Sequence, residues 1–169
     1  MRPWAAGSVI AAVNLPRYMD ANKPVGGGLQ QVIQKMAAEK GIPITGEVER
    51  WDDWVRFYAD FGQKAAVQYL LYQCDIVELP ADSMTKWSEA WLHGDLSGWM
   101  GWNEHMRTQY PDLYVVLESN RNSRWAKRID QMLDEGGVHF IGVGVEHTLG
   151  PDSIQAVAMR EGITFKRVQ

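Results

Sequence analysis

The chain has 169 residues, 46% of them hydrophobic and 22% charged, a balance that supports a packed core and excludes wholesale disorder. A net charge of −4 with no basic cluster argues against nucleic acid as a partner. Cys74 is the one cysteine, so a disulfide framework is excluded and the redox compartment stays open.

In chain order, Trp4 to Val13 is an apolar opening too short to span a bilayer. Only Arg2 precedes it as a basic residue, so it reads as a short buried helix, with a cleaved signal ending near Asn14 as the alternative. Lys23–Gly28 reads as a loop, since proline and three glycines cannot hold a helix. Leu29 to Glu39 then places Leu29, Val32, Ile33, Met36 and Ala37 at helical spacing, with Gly41 as the stop. Ile42 to Val48 is short and rich in β-branched residues, so a strand is expected, with Pro43 putting it near an edge or start.

Trp51 to about Leu79 reads as helix in two pieces broken near Gly62, and Pro80 ends it. Asp82 or Ser83 caps the next helix, which runs to Gly94, and another covers roughly Leu96 to Thr108. Pro111 to Glu135 is predicted as one long amphipathic helix with Leu113, Val116, Leu117, Trp125, Ile129, Met132 and Leu133 inward, stopped by Gly136-Gly137. Arg121 and Asn122 precede Trp125 by four and three residues, so at least one leans toward the buried face and needs a partner. A satisfied structural contact and an arginine aimed at a substrate or carboxylate both stay open.

The tail reads as strand, helix, strand. Val138 to Val145 is nearly all apolar, as in a strand covered on both faces. Gly150-Pro151-Asp152 opens a helix with proline in its first turn, Ser153 to Arg160 continues it, and Ile163 to Val168 is a second strand. Such a βαβ crossover implies parallel strands. The expected fold is therefore α/β (α+β): one helix-rich domain over 1–169 with a small, mostly parallel sheet and a C-terminal βαβ unit.

Eight tryptophans stand out, several in helical pairs: Trp51 with Trp54, Trp87 with Trp91, Trp99 with Trp102. They read as core and inter-helix filler rather than a lipid-facing surface, because charges are interleaved with them. No stretch of the sequence reads as a transmembrane segment.

Chemistry concentrates at Gly144-Val145-Glu146-His147, a Gly-x-x-His tetrad at the end of the expected strand and before a helix. Ligands of α/β proteins collect at carboxyl ends of strands, and a helix start offers free N–H groups to an anion or carbonyl oxygen. His147 there reads as a metal ligand or general base; a histidine after a strand also reads as a structural residue. A catalytic metal needs more ligands, for which Glu47, Glu49 and Glu146 are candidates. His139 lies eight residues upstream of His147, about 26 Å in extended geometry, too far to share an ion. His93 and His105 read as solvated, and Cys74 as inert packing.

These residues together resemble the TraB/GumN-type family, more distantly the Tiki metalloproteases. The resemblance is carried by Arg121-Asn122-x-x-Trp125, the Gly-Gly break, the apolar run, Gly144-x-x-His147 and Leu149-Gly150-Pro151-Asp152. Upstream, Pro3-Trp4 and Gly41-Ile42-Pro43-Ile44-Thr45-Gly46-Glu47 add looser matches. The resemblance implies a mixed α/β fold and a divalent-metal-dependent hydrolytic site. In that site His147 is the second histidine and a metal ligand, Glu47 (by a small shift Glu49) the carboxylate, and Arg121 or Arg124 the arginine. The family's first Gly-x-x-His lies ahead of the Pro-Trp step, so the chain is expected to be an N-terminally truncated domain.

Two functions follow. One is a metal-dependent hydrolase of peptide or another acyl bond, acting on a peptide or small-molecule substrate. The other is a non-catalytic interaction protein that keeps the fold, and whose exposed sheet edge pairs with a second copy.

Overall fold

A computed structural model describes residues 1–14, 29–48 and 50–168. Their regular structure is helical: α1 (Pro3–Asn14), α2 (Leu29–Glu39), α3 (Trp51–Ala59), α4 (Gln63–Glu78), α5 (Ser83–Leu92) and α6 (Ser97–Gln109). There follow α7 (Pro111–Tyr114), a π-helical turn (Val115–Ser119), α8 (Asn120–Glu135), a 3-10 turn (Val145–Thr148) and α9 (Ile154–Arg160). The expected loop over Lys23–Gly28 lies outside the described residues, as does Glu49.

Helix boundaries follow local chemistry. Leu79, before Pro80, is extended at φ −59° and ψ 144°, as a pre-proline residue must be to avoid the ring. Gly136 and Gly137 both adopt positive φ, +72° and +91°, and terminate α8. Ser153 caps α9 by accepting a hydrogen bond from the Ala156 N–H. Pro151 therefore sits in the turn ahead of the cap, not in the first helical turn. The break of Trp51–Leu79 falls at Gly62, as its sequence predicts.

The expected α/β fold is overturned. Among the described residues there is no strand and no sheet. Ile42–Val48 and Ile163–Val168 carry no ladder, and Val138–Val145 is open coil that ends in the 3-10 turn. The apolar character of these runs is real, but a strand exists only when another strand satisfies its N–H and C=O groups. Val138 is fully exposed and Phe140 is 76% exposed, so the run is not covered on two faces. Among the described residues there is therefore no βαβ unit and no sheet edge to pair with a second copy.

The core instead lies around α4. Ala65, Ala66, Tyr69 and Tyr72 of α4 are buried with Phe61, with Trp102 and Met106 of α6, and with Leu113 and Tyr114 of α7. Trp4, Phe57, Trp87, Val116 and Leu117 pack against this cluster. Aromatic rings meet mostly edge to face, as Phe61 and Tyr69 do at 5.9 Å and 90°. Tryptophan as filler holds for Trp4, Trp87 and Trp102, whereas Trp51 is 78% exposed. The helix α2 buries none of its apolar stripe against the described residues. None of the described helices is long and apolar enough to cross a membrane.

The crossing of α1 and α4 is close enough to require glycine. A Cβ on Gly7 would lie 2.8 Å from the Tyr69 ring. In α6, by contrast, a Cβ on Gly101 meets nothing within 4 Å among the described residues. Mid-helix Gly→Ala ordinarily stabilises by about 0.5–1 kcal/mol. Gly101→Ala is expected to do so, while Gly7→Ala reverses the sign and destabilises by about 1–3 kcal/mol through overpacking. Thermal melts of the two variants check both signs.

Candidate active site

The site is built on the long helical stretch from Pro111 to Glu135, whose continuity was legible. Within it the Asn120 N–H donates to the Val115 carbonyl, five residues back. That single π turn widens the helix, whose buried residues here fall four apart: Tyr114, Glu118, Asn122 and Ala126. Turns of this kind recur at functional sites. Two members of the stripe are polar, so each needs a partner in the interior.

Asn122 is 1% exposed. Its Nδ2 donates to the Asp152 carbonyl at 2.8 Å, and its Oδ1 lies 2.9 Å from His147 Nδ1. His147 itself is buried, delivered by the 3-10 turn, and its ring meets Trp125 edge-on at 4.6 Å. Glu118 Oε2 lies 2.7 Å from the same Nδ1. That oxygen accepts no hydrogen bond, because a ring nitrogen carries one hydrogen and it points to Asn122. The Glu118–His147 contact is therefore electrostatic.

Glu146 adds a second carboxyl. Burial pushes its pKa up to about 7, the Glu118 charge pushes the same way, and a hydrogen bond with the Tyr72 hydroxyl eases the shift. Tyr72 in turn accepts a hydrogen bond from Trp102 Nε1 at 2.5 Å. Burial, then the Glu146 charge, holds the Tyr72 hydroxyl well above its ordinary pKa. Two groups thus bear on Glu118: His147, in contact with it, and Glu146, hydrogen-bonded with Tyr72.

The other expected residues gather on the adjacent face of α8. Arg121 Nη2 and Nε grip Glu47 Oε2 at 2.8 Å and 3.1 Å, and Arg124 Nη2 reaches Oε1 at 3.2 Å. Burial alone would raise the Glu47 pKa, but hydrogen bonds and charge from Arg121 and Arg124 outweigh it and hold the carboxyl below its ordinary value. Glu47 is thus brought to the arginines, while the carboxylate beside His147 is Glu118. His139 lies apart, bonded to the Gly136 carbonyl, and His93 is exposed. His105 is not simply solvated, since its Nε2 meets Asp75 Oδ2 at 2.7 Å.

Sequence reasoning missed Glu118. The available signal was the four-residue spacing from Glu118 to Asn122 to Ala126, which keeps the three on one helix face, the face that also carries Trp125 and Ile129.

The divalent ion implied by the resemblance does not fit these side chains as they stand. Both Glu47 oxygens are committed to guanidinium groups, whose positive charge repels a cation. His147 has Nε2 left beside an Nδ1 committed to Asn122, but no group of three His, Cys, Asp or Glu among the described residues is disposed to hold a metal with it.

The TraB/PrgY/gumN family model matches residues 1–167, and the chain belongs to that family. No curated protein and no solved structure matches it.

Two predictions follow from this geometry. Glu146 has a folded pKa of about 7 against an ordinary 4.5, so the stability it contributes is present below about 4.5 and lost as pH rises through about 7. Glu146→Gln should therefore leave the melting temperature unchanged near pH 4.5 and stabilise by about 1–3 kcal/mol above pH 7. Protein loaded with zinc or manganese and then desalted should retain less than stoichiometric metal, and its melting temperature should not respond to chelator. Stoichiometric retention would show that Glu47 leaves its arginines for the ion.

Proposed function

We propose that this TraB/PrgY/gumN-family chain is a hydrolase of peptide or related acyl bonds with His147 as its acid–base group. The observation that most supports the reading is a buried imidazole set against a buried carboxylate, His147 Nδ1 and Glu118 Oε2 at 2.7 Å. Because Asn122 spends its amide N–H on Asp152, its oxygen faces the ring and Nδ1 carries the hydrogen. The Nε2 lone pair is left to take a proton from water. The Glu118 charge then stabilises the imidazolium. As water oxygen bonds to the acyl carbon and the scissile bond breaks, the proton on Nε2 passes to the leaving amine or alkoxide.

A bound divalent ion would supply Lewis-acid polarisation of the carbonyl. The side-chain arrangement does not fit one, so no step above runs through it. A second reading, a non-catalytic interaction protein, is favoured by one observation: Ile42, Ile44, Phe140 and Phe165 are each 45% exposed or more, on extended stretches.

Quenched-fluorescent peptide and ester libraries test the reading. Turnover is expected in the wild-type chain, and His147→Asn should lower it by about 100-fold or more with the helical circular dichroism unchanged. A wild-type chain inert on both libraries, or a fully active His147→Asn variant, overturns it in favour of the interaction protein.

A further inference from the structure

The arginine that holds Glu47 sits in an unusually complete setting for an ion pair. The Arg121 guanidinium lies 4.8 Å from the Trp125 ring centroid and 5.8 Å from those of Trp54 and Phe57. Its Nη1 donates to the Leu117 carbonyl at 3.1 Å, which fixes the plane of the fork. Its side chain is 12% exposed, and Nε and Nη2 point together at one carboxylate. Aromatic walls and a fixed fork are what a planar anion requires for two-point recognition.

The anion now in the fork is held by its side chain and carried on a segment without regular structure. Glu47 belongs to 42–48, which has no helix and no ladder, and its neighbours Ile42 and Ile44 are 54% and 51% exposed. Two guanidinium groups face a single carboxylate, so the clamp keeps an excess positive charge with Glu47 in place. The far side of the clamp is also informative: the Trp125 ring that backs Arg121 meets His147 at 4.6 Å. One indole separates the clamp from the imidazole.

We propose that Arg121 and Arg124 form a carboxylate-binding subsite, that Glu47 fills it as a built-in stand-in, and that a peptide with a free C-terminal carboxylate displaces it. The assignment of that carboxylate to a substrate rests on the hydrolase reading; the binding itself does not. Displacement makes the free chain self-competitive, because only the fraction with Glu47 withdrawn is open to the ligand.

The test is binding, not turnover. An N-acetylated dipeptide with a free C-terminal carboxylate, its C-terminal amide and inorganic phosphate are titrated into the full chain. Indole N–H resonances and heat are followed. The free acid is expected to shift the Trp54 and Trp125 signals and the amide to leave them in place. Glu47→Gln should bind the acid about 10-fold tighter than wild type, and Arg124→Gln several-fold weaker, roughly as loss of one charge-assisted bond predicts. If Glu47→Gln fails to fold, the acid-against-amide comparison in the wild-type chain decides alone. Equal binding of acid and amide, no binding of either, or phosphate binding as tightly as the acid would each overturn the proposal. Acid-selective binding without turnover sinks only the hydrolase reading, whereas turnover without acid selectivity sinks only the clamp.

Discussion

Asn122 has almost no contact with solvent, and each end of its amide is committed: the nitrogen to the Asp152 carbonyl, the oxygen to His147. A buried amide that lost either partner would leave a polar group unsatisfied, at a penalty of about 1–3 kcal/mol. The two bonds tie α8 to the turn before α9 and to the 3-10 turn that carries the histidine. They act beside the burial of Leu149, Ile154 and Ala158 and the hydrogen bond from Asn103 to the Glu146 carbonyl. The orientation of the imidazole is thus a by-product of the way the C-terminal third is anchored.

Arg121 and Asn122 are consecutive, and one helical residue turns the side chain by about 100°. The same step of α8 therefore serves two environments. Asn122 enters the desolvated pocket with Glu118 and His147, and Arg121 emerges beside Trp54 and Phe57 to grip Glu47. Trp125, one turn on from Arg121, touches both the guanidinium and the imidazole. The RNxxW spacing acquires a physical meaning here. It places a cation, an amide and a shared aromatic wall within one turn of one helix.

Much of this was legible and part was not, for identifiable reasons. Helix breaks at Gly62, Pro80 and Gly136-Gly137 follow from backbone chemistry that each residue carries by itself. The long helix and the need to partner Arg121 and Asn122 could be read from spacing. The strands could not, since Val138–Val145 supplies apolar side chains but not the neighbouring chain that a ladder requires. Glu118 falls within about 20° of Trp125 and Ile129 on a 3.6-residue wheel, so its inward position was legible and was passed over because a carboxylate is not expected in a core. The carboxylate next to His147 was sought upstream at Glu47 or Glu49. It lies instead twenty-nine residues before His147, on the stretch already singled out for its arginine.

The charge on the two sides of Trp125 is unbalanced in opposite senses. The inner region holds two acidic side chains against one imidazole, and its answer is to raise the Glu146 pKa to about 7, so that this carboxyl still carries a proton for a substantial part of the time at neutral pH. The outer clamp holds two guanidinium groups against one carboxylate, and arginine has no comparable way to shed its charge. Neutrality inside is reached by moving a proton; outside it can be reached only by admitting an anion. Proton exchange and anion exchange are separate equilibria, yet both bear on the same ring. A ligand that settles the outer imbalance thereby comes to rest one indole away from the groups that handle protons.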